Sequence, residues 1–272
     1  MLKIGLLVNP YAGIGGRVAL KGSDDVVAEA QALGAEPRSP SRIRRTLETV
    51  GAAVHNCRWY TWDGPMGADY LAELGVDASV LGAPASPSSA RDSQDAAAAL
   101  IAAGVDLLVF VGGDGTACDL LETVGDRLPV LGVPAGVKMH SGVFATTPER
   151  AGELLEKLIT GGLVQSVRRE VRDLDEHALR QGRLEPRYYG ELRVPEPGGY
   201  LQHTKVSGRE SEPLVLEEII ADVTERLQDQ QRPVILGPGS TLFRIKEALG
   251  MQGTLLGVDV WHSGQQLGTD VT

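Results

Sequence analysis

Through about the first 160 residues the chain alternates short, unbroken apolar runs with stretches whose apolar positions recur every three or four residues. A strand covered on both faces needs no polar side, whereas the helix that covers it does, so this rhythm predicts a parallel sheet with helical crossovers. Lys3–Val8 predicts the first strand, closed by Asn9-Pro10 and a glycine-rich loop running to Gly16. Ser41 predicts an N-cap for a helix with Ile43, Leu47 and Val50 on one face, and Asp92 predicts another for a helix through Leu100 and Ile101. Val105–Val111 reads as a buried strand, followed by a short helix to Val124 and a strand over Pro129–Val133. Thr147-Pro148 supplies an N-cap and an N1 proline for a helix carrying Leu154, Leu155, Leu158 and Ile159.

The pattern changes at Leu163. To about Lys205 there are short stretches of Val, Arg, Tyr and Leu, broken by Gln181-Gly182 and by Pro195, Pro197, Gly198 and Gly199. They predict β-hairpins of a smaller domain or sheet insertion, with the arginines from Arg168 to Arg193 on a solvated face. From Leu214 the α/β rhythm returns: a helix to about Gln228, a strand Pro233–Leu236, a glycine turn, a helix Thr241–Leu249 and a strand Thr254–Val258. Gly82–Ala90 reads as a loop, and no internal repeat interrupts the series. The expected fold class is therefore α/β: an open, mainly parallel sheet flanked by helices, with a smaller β-rich domain inserted or following. The expected division is residues 1–162, then 163–272 as a β-rich segment followed by a further α/β portion.

Length adds that 272 residues suit one large or two intimately packed domains. A formal charge of −10 argues against a nucleic-acid surface, which needs a concentrated positive field. It leaves room for a phosphorylated small molecule, which a few amides and one or two cations can hold. Two cysteines, Cys57 and Cys118, are too few for a disulfide framework or a thiolate zinc site, and they fit a reducing, cytoplasmic setting. Cys118 reads as core. His55, His140, His177, His203 and His262 are scattered without metal-ligand spacing; His140, the one near a glycine loop, reads as structural. The apolar stretch after Lys3 is too short for a signal peptide or a bilayer, and no other run is long enough to span one.

The strongest chemical signal is Leu107-Leu108-Val109-Phe110-Val111 running into Gly112-Gly113-Asp114-Gly115-Thr116. In an open parallel sheet the C-terminal ends of strands face the ligand crevice. Glycines there let a phosphate approach backbone N–H groups, and the following helix points its positive end at the same spot. Asp114 is the odd member. A carboxylate repels phosphate unless it has a task, such as accepting a proton from an attacking hydroxyl or holding a metal. The plainer reading is a strand-turn-helix corner that Asp114 merely caps. Leu131 to Lys138, with Gly136, and Ile235 to Thr241, with Gly239, Ser240 and Thr241, end two further apolar runs in the same way. With Asn9 to Gly16 that makes four glycine-rich loops expected to converge on one crevice, where Lys138 either neutralises phosphate charge or is a surface lysine. None is a P-loop, and none is a dinucleotide fingerprint, since Val18 stands where the third glycine would be.

Taken together, the Gly112–Thr116 loop, the opening Val8-Asn9-Pro10 with its glycines, and Gly132 to Ser141 resemble the ATP-NAD kinase family, in particular its acetoin-cluster-associated (AcoX-type) branch. More distantly they resemble diacylglycerol and sphingoid kinases. The resemblance implies ATP-dependent phosphorylation of an alcohol group, foremost NAD to NADP, with Mg2+ arriving with ATP and no tightly bound protein metal. It implies Asp114 as catalytic base, Asn9, Gly112, Gly113, Gly115, Thr116, Gly136 and Lys138 around the nucleotide, and Gly239, Ser240 and Thr241 as part of a second nucleotide loop. It also implies a homo-oligomer. Two features depart from the family pattern. No Asn-Glu pair of the kind that holds the acceptor nucleotide occurs, the nearest acidic pair being Asp175-Glu176 on a predicted hairpin edge. The sequence also stops at Thr272, where relatives continue into a further glycine-rich strand region. The alternatives these departures admit are a nucleotide-binding accessory protein of a catabolic, acetoin-type pathway, or a kinase of a lipid or another alcohol. The lipid version lacks an amphipathic membrane-facing helix.

Overall fold

The computed structural model describes residues 1–14, 35–136, 139–162, 165–174, 186–196, 212–228, 230 and 232–271. The chain forms two compact units, Met1–Thr204 and Lys205–Thr272.

The first unit is built on β1 (Lys3–Val8), α1 (Ser39–Val50), β2 (Arg58–Thr61), α2 (Ala68–Glu73), β3 (Ala78–Val80), α3 (Ala90–Ala102), β4 (Leu107–Gly112), α4 (Asp114–Val124), β5 (Val130–Pro134) and α5 (Pro148–Ile159). The five strands form one sheet in the order β3-β2-β1-β4-β5, with every neighbouring pair parallel. The expected mainly parallel sheet is thus what the chain builds. From β1 the chain winds outward to β3 and then crosses back to β4 on the other side of β1. Right-handed crossovers in opposite directions put helices on opposite faces, and accordingly α1 packs on α5 while α3 packs on α4. The central strands are apolar: β4 is fully buried, and Phe110 packs against Phe144 with ring centroids 5.3 Å apart and planes tilted by 60°.

Local chemistry explains where the helices begin. Thr147 is the N-cap of α5 as its sequence predicts, accepting the Arg150 N–H at 3.2 Å ahead of Pro148. Asp92 is not the N-cap of α3. Ser89 takes that place, and Asp92, three residues on, accepts the Ser89 N–H at 2.8 Å. Similarly α1 starts at Ser39, before Ser41, with Pro40 in its first turn. Beyond α5, β6 (Gln165–Leu174) and β7 (Pro186–Glu196) pair antiparallel, as the change of pattern predicts. Val171, Leu192 and Val194 are buried on one face of the hairpin, and on the other Arg168 reaches Asp126 at 2.9 Å.

The second unit contains α6 (Glu212–Gln228), β8 (Val234–Leu236), α7 (Ser240–Ala248), β9 (Asp259–His262) and β10 (Gln265–Gly268). Its strands run in the order β10-β9-β8, both pairs antiparallel. This corrects two expectations. Residues 254–258 form no strand, and β8 is an antiparallel edge among the described residues instead of part of a parallel sheet. The physical reason lies in Lys246. Its buried ammonium is held 2.6 Å from Asp259 and donates to the carbonyls of Thr254 and Gly257, each at 3.0 Å, so this stretch wraps around a charge where a ladder would otherwise form. A small core of Ile220, Leu236, Ile245, Leu249, Met251 and Trp261 fills the unit. Among the described residues no helix is long and apolar enough to cross a membrane.

Candidate functional site

The sheet order has its reversal between β1 and β4, and in open α/β sheets the crevice outside such a reversal is where ligands bind. Both strands end there in polar or small residues. Asn9 follows β1, its N–H bonded to the Val111 carbonyl at 3.0 Å, and its side-chain amide donates to Thr116 Oγ1 at 2.9 Å. Asn9 Oδ1 accepts the Tyr11 N–H at 3.0 Å, closing the turn after the strand. The end of β1 is therefore tied through Asn9 directly to the first turn of α4.

Two close approaches explain the glycines. A Cβ on Gly112 would lie 2.5 Å from Thr116 Cβ, so only glycine lets the helix start against the strand end. Gly113 and Gly136 face each other, a Cβ on Gly136 falling 3.0 Å from Gly113 Cα, which brings the end of β5 beside the same corner. Asn9, Gly112, Gly113, Asp114, Gly115, Thr116 and Gly136 are accordingly brought together, as their sequence positions predict. Lys138 lies outside the described residues, as do Gly15, Gly16, His177, His203 and the Asp175-Glu176 pair. Gly239, Ser240 and Thr241 lie in the second unit, at the start of α7.

Asp114 opens α4 and is only 8 % exposed. Beyond β5, residues 143–145 lie beside that strand in a parallel bridge, Gly132 N–H bonding to the Val143 carbonyl at 3.0 Å and Ala145 N–H to the Gly132 carbonyl at 2.9 Å. Just before that bridge the chain presents two amides to the carboxylate, His140 N–H at 2.6 Å and Ser141 N–H at 3.0 Å. Burial pushes the Asp114 carboxyl up to about 7. The Ser141 and His140 hydrogen bonds pull the other way, and the nearby negative charge of Asp173 adds to the rise. A carboxyl at that level can hold or release a proton near neutrality, as a general base requires. Asp114 does not cap its own helix. Its oxygens are turned to residues 140 and 141, and the N–H groups of Gly113, Asp114 and Gly115 have no acceptor among the described residues. An α-helix starting with such donors is an anion seat.

Two participants escape a reading by motif. Ser141, 1 % exposed, bonds through Oγ to both the Arg172 carbonyl at 2.8 Å and the Arg172 N–H at 3.0 Å, joining the hairpin to the segment that holds Asp114. Asp173, the next residue, lies at the first turn of α4. Ser141 closes the Gly132 to Ser141 stretch without a role assigned to it there, and Asp173 belongs to no glycine loop; the one signal for Asp173 was an acidic residue among the arginines of β6. Cys118, packed against the core, has its thiol pushed up to about 12 by burial and by the carboxylates of Asp173 and Asp114, which leaves it protonated.

Residues 4–163 match the ATP-NAD kinase N-terminal domain family. No curated protein matches the chain. Two solved structures from Bacillus anthracis str. Sterne are similar: a diacylglycerol kinase, 17 % identical with a TM-score of 0.33, and another diacylglycerol kinase-type chain, 18 % identical with a TM-score of 0.34. The aligned parts cover 61 % of this chain in both cases, but 41 % and 43 % of the two structures, so this chain matches less than half the length of either.

Proposed function

Because the chain belongs to the ATP-NAD kinase family, we propose that it transfers the terminal phosphate of ATP to a hydroxyl of a small molecule, with NAD as acceptor and NADP as product. The observation that carries this reading is the pairing, at the sheet's reversal point, of first-turn amides without acceptors among the described residues and a buried carboxyl beside them that titrates near neutrality. Phosphoryl transfer asks chiefly for in-line placement and neutralisation of charge, so an amide seat and one base suffice. The N–H groups of Gly113, Asp114 and Gly115 hold phosphate oxygens of magnesium–ATP, and the Gly113–Gly136 contact leaves no side chain between them and the ligand. Asp114 takes the proton of the attacking hydroxyl as its oxygen bonds to the terminal phosphorus and ADP departs. The His140 and Ser141 amides fix that carboxylate's orientation throughout.

The test is incubation with ATP, Mg2+ and NAD, following NADP. The parent protein makes NADP, and Asp114→Asn lowers kcat by about 10²- to 10⁴-fold, the usual contribution of a positioned general base. NADP formation undiminished in Asp114→Asn would remove the base assignment. Phosphorylation of another alcohol, with none of NAD, would move the acceptor and keep the kinase.

A further inference from the structure

This inference rests on reading Asp114 as the base, and it concerns what holds that base in place. The segment after β5 is gripped from two sides. Its residues 143–145 lie against β5 through the Gly132–Val143 and Ala145–Gly132 hydrogen bonds, and its residues 141 and 142 lie against β6. On the β6 side the contacts fall on alternate residues, Gly142 N–H donating to the Glu170 carbonyl at 2.9 Å and Ser141 Oγ engaging Arg172. Residues two apart on a strand turn their backbone groups to the same edge, so both contacts cover the edge of β6 away from β7. A neighbouring strand would offer Arg172 an N–H and a carbonyl. Ser141 offers a single hydroxyl in their place, which donates to the Arg172 carbonyl at 2.8 Å and accepts the Arg172 N–H at 3.0 Å. Ser141 is 1 % exposed, so bulk water does not take over these two bonds.

The circuit closes on α4. Gly190, across the ladder from Val171, lies so close to Leu121 that a Cβ there would fall 2.8 Å from its Cδ2, and α4 opens with Asp114 itself. Helix, hairpin and segment thus constrain one another, and what they hold in place is the pair of N–H groups, of His140 and Ser141, that meet the Asp114 carboxylate at 2.6 and 3.0 Å. We propose that Ser141 is a positioning residue for phosphoryl transfer, its hydroxyl clasping Arg172 so that the β6–β7 hairpin acts as the strut that keeps two amides on the Asp114 carboxylate. Without the clasp the amides loosen, and a buried carboxyl that loses hydrogen bonds to its charged form keeps its proton to higher pH. The other titratable groups around it, Asp173 on β6, His140 in the segment and Cys118 one turn along α4, are left as they are.

The experiment is a carboxyl-carbon NMR titration of the full chain, the Asp114 resonance being assigned by its loss in Asp114→Asn. It compares the parent, Ser141→Ala, Ser141→Cys and, as control, Arg168→Gln, which breaks the exposed Arg168–Asp126 pair elsewhere on the same hairpin. The pH dependence of NADP formation and the KM for magnesium–ATP are measured beside it. The expected result is a rise of the Asp114 midpoint by about one pH unit in Ser141→Ala, the scale of one hydrogen bond to a charged group. Ser141→Cys, whose thiol fills much the same space but donates and accepts weakly, gives a smaller rise, and Arg168→Gln gives none. In Ser141→Ala kcat at neutral pH falls by about fivefold with the deprotonated fraction and recovers at higher pH, while KM for magnesium–ATP stays within about twofold of the parent. A merely structural serine would lower activity equally at every pH and leave the midpoint where it was. Midpoints of both Ser141 variants within about 0.3 pH units of the parent overturn the inference, as does a shift to lower pH or an equal rise in Arg168→Gln. If Ser141→Ala does not fold, Ser141→Cys decides by the same readings. The titration needs no acceptor, so it reads the clasp whichever alcohol is phosphorylated. Undiminished NADP formation in Asp114→Asn removes the base reading and this inference with it, whereas an unmoved midpoint beside an inactive Asp114→Asn removes this inference alone.

Discussion

Two glycine-rich corners of this chain look alike as sequences, Gly112 to Thr116 and Gly237 to Thr241, and each joins an apolar strand to a helix. As structures they differ in what flanks them. β4 has a parallel strand on either side, and the crossovers depart in opposite directions, leaving at its end amide donors that lack acceptors among the described residues. Among the described residues β8 is an antiparallel edge, and at its corner the Gly239 N–H is already donated to the Leu255 carbonyl at 2.9 Å. The charges differ too. The first corner buries a carboxyl that accepts the His140 and Ser141 amides, and the second unit buries a carboxylate matched to a lysine. Glycines thus make an anion seat possible, but what packs against the corner decides whether a given donor stays available.

The largest expected effect follows from the matched pair. Lys246 and Asp259 are both fully buried, and every hydrogen of the ammonium has an acceptor in Thr254, Gly257 and Asp259. Removing one partner strands the other charge in the core, so Lys246→Met should cost about 3–5 kcal/mol and abolish hydrogen-exchange protection through residues 232–271. Protection retained there at the parent level would mean that the pair is not what orders the second unit, and the contrast between the corners would lose half its basis.

The two buried carboxyls also predict opposite responses to pH. Asp259 is held below the usual carboxylate range by the Lys246 ammonium and by the Asp270 and Thr254 amides, so its stabilisation is present above the unfolded value and is lost as acid brings the pH through the depressed folded one. Asp114, at about 7 when folded, behaves the other way: its contribution is full below the unfolded value of about 3.9 and disappears as pH rises toward 7. Thermal unfolding should therefore show the first unit of the parent losing roughly 4 kcal/mol of stability between pH 4 and pH 8 relative to Asp114→Asn, the depressed carboxyls of Glu73, Asp92 and Glu149 being common to both. A parent that tracks Asp114→Asn over the same window would show that solvent reaches Asp114 freely.

These contrasts separate what was legible in the sequence from what was not. Lys3–Val8, the strand before Gly112 and the Thr147-Pro148 start of α5 could be read directly, because a doubly buried strand is a continuous apolar run and an N-cap is a local choice. The short strands β2 and β3 went unread because Arg58–Thr61 and Ala78–Val80 carry neither a long apolar run nor an alternation. Within the site, the glycines and Asp114 announce themselves in one contiguous stretch. Ser141 and Asp173 do not, since their role comes from long-range contacts of the hairpin with α4 and with the segment after β5. Likewise nothing local in Val234–Leu236 distinguishes a parallel from an antiparallel strand; Asp259, which sets the pairing partner's start, lies more than twenty residues on.

The smallest effect is the most direct trial of the comparison, because it makes the same change at both corners. A methyl on Gly112 would fall 2.5 Å from Thr116 Cβ and 2.6 Å from Thr116 Oγ1, so the first turn of α4 has to move and the Asn9–Thr116 hydrogen bond goes with it. A methyl on Gly237 meets nothing nearer than Leu242 Cδ1 at 3.8 Å, an ordinary contact. Gly112→Ala should therefore destabilise by about 1–3 kcal/mol and weaken ATP binding, whereas Gly237→Ala should stay within about 0.5 kcal/mol of the parent, both read by urea unfolding and titration with magnesium–ATP. Equal tolerance at the two positions would mean that the strand end and the helix of the first corner are not held in register by that glycine, and the amides of Gly113 and Gly115 would lose the fixed geometry an anion seat needs.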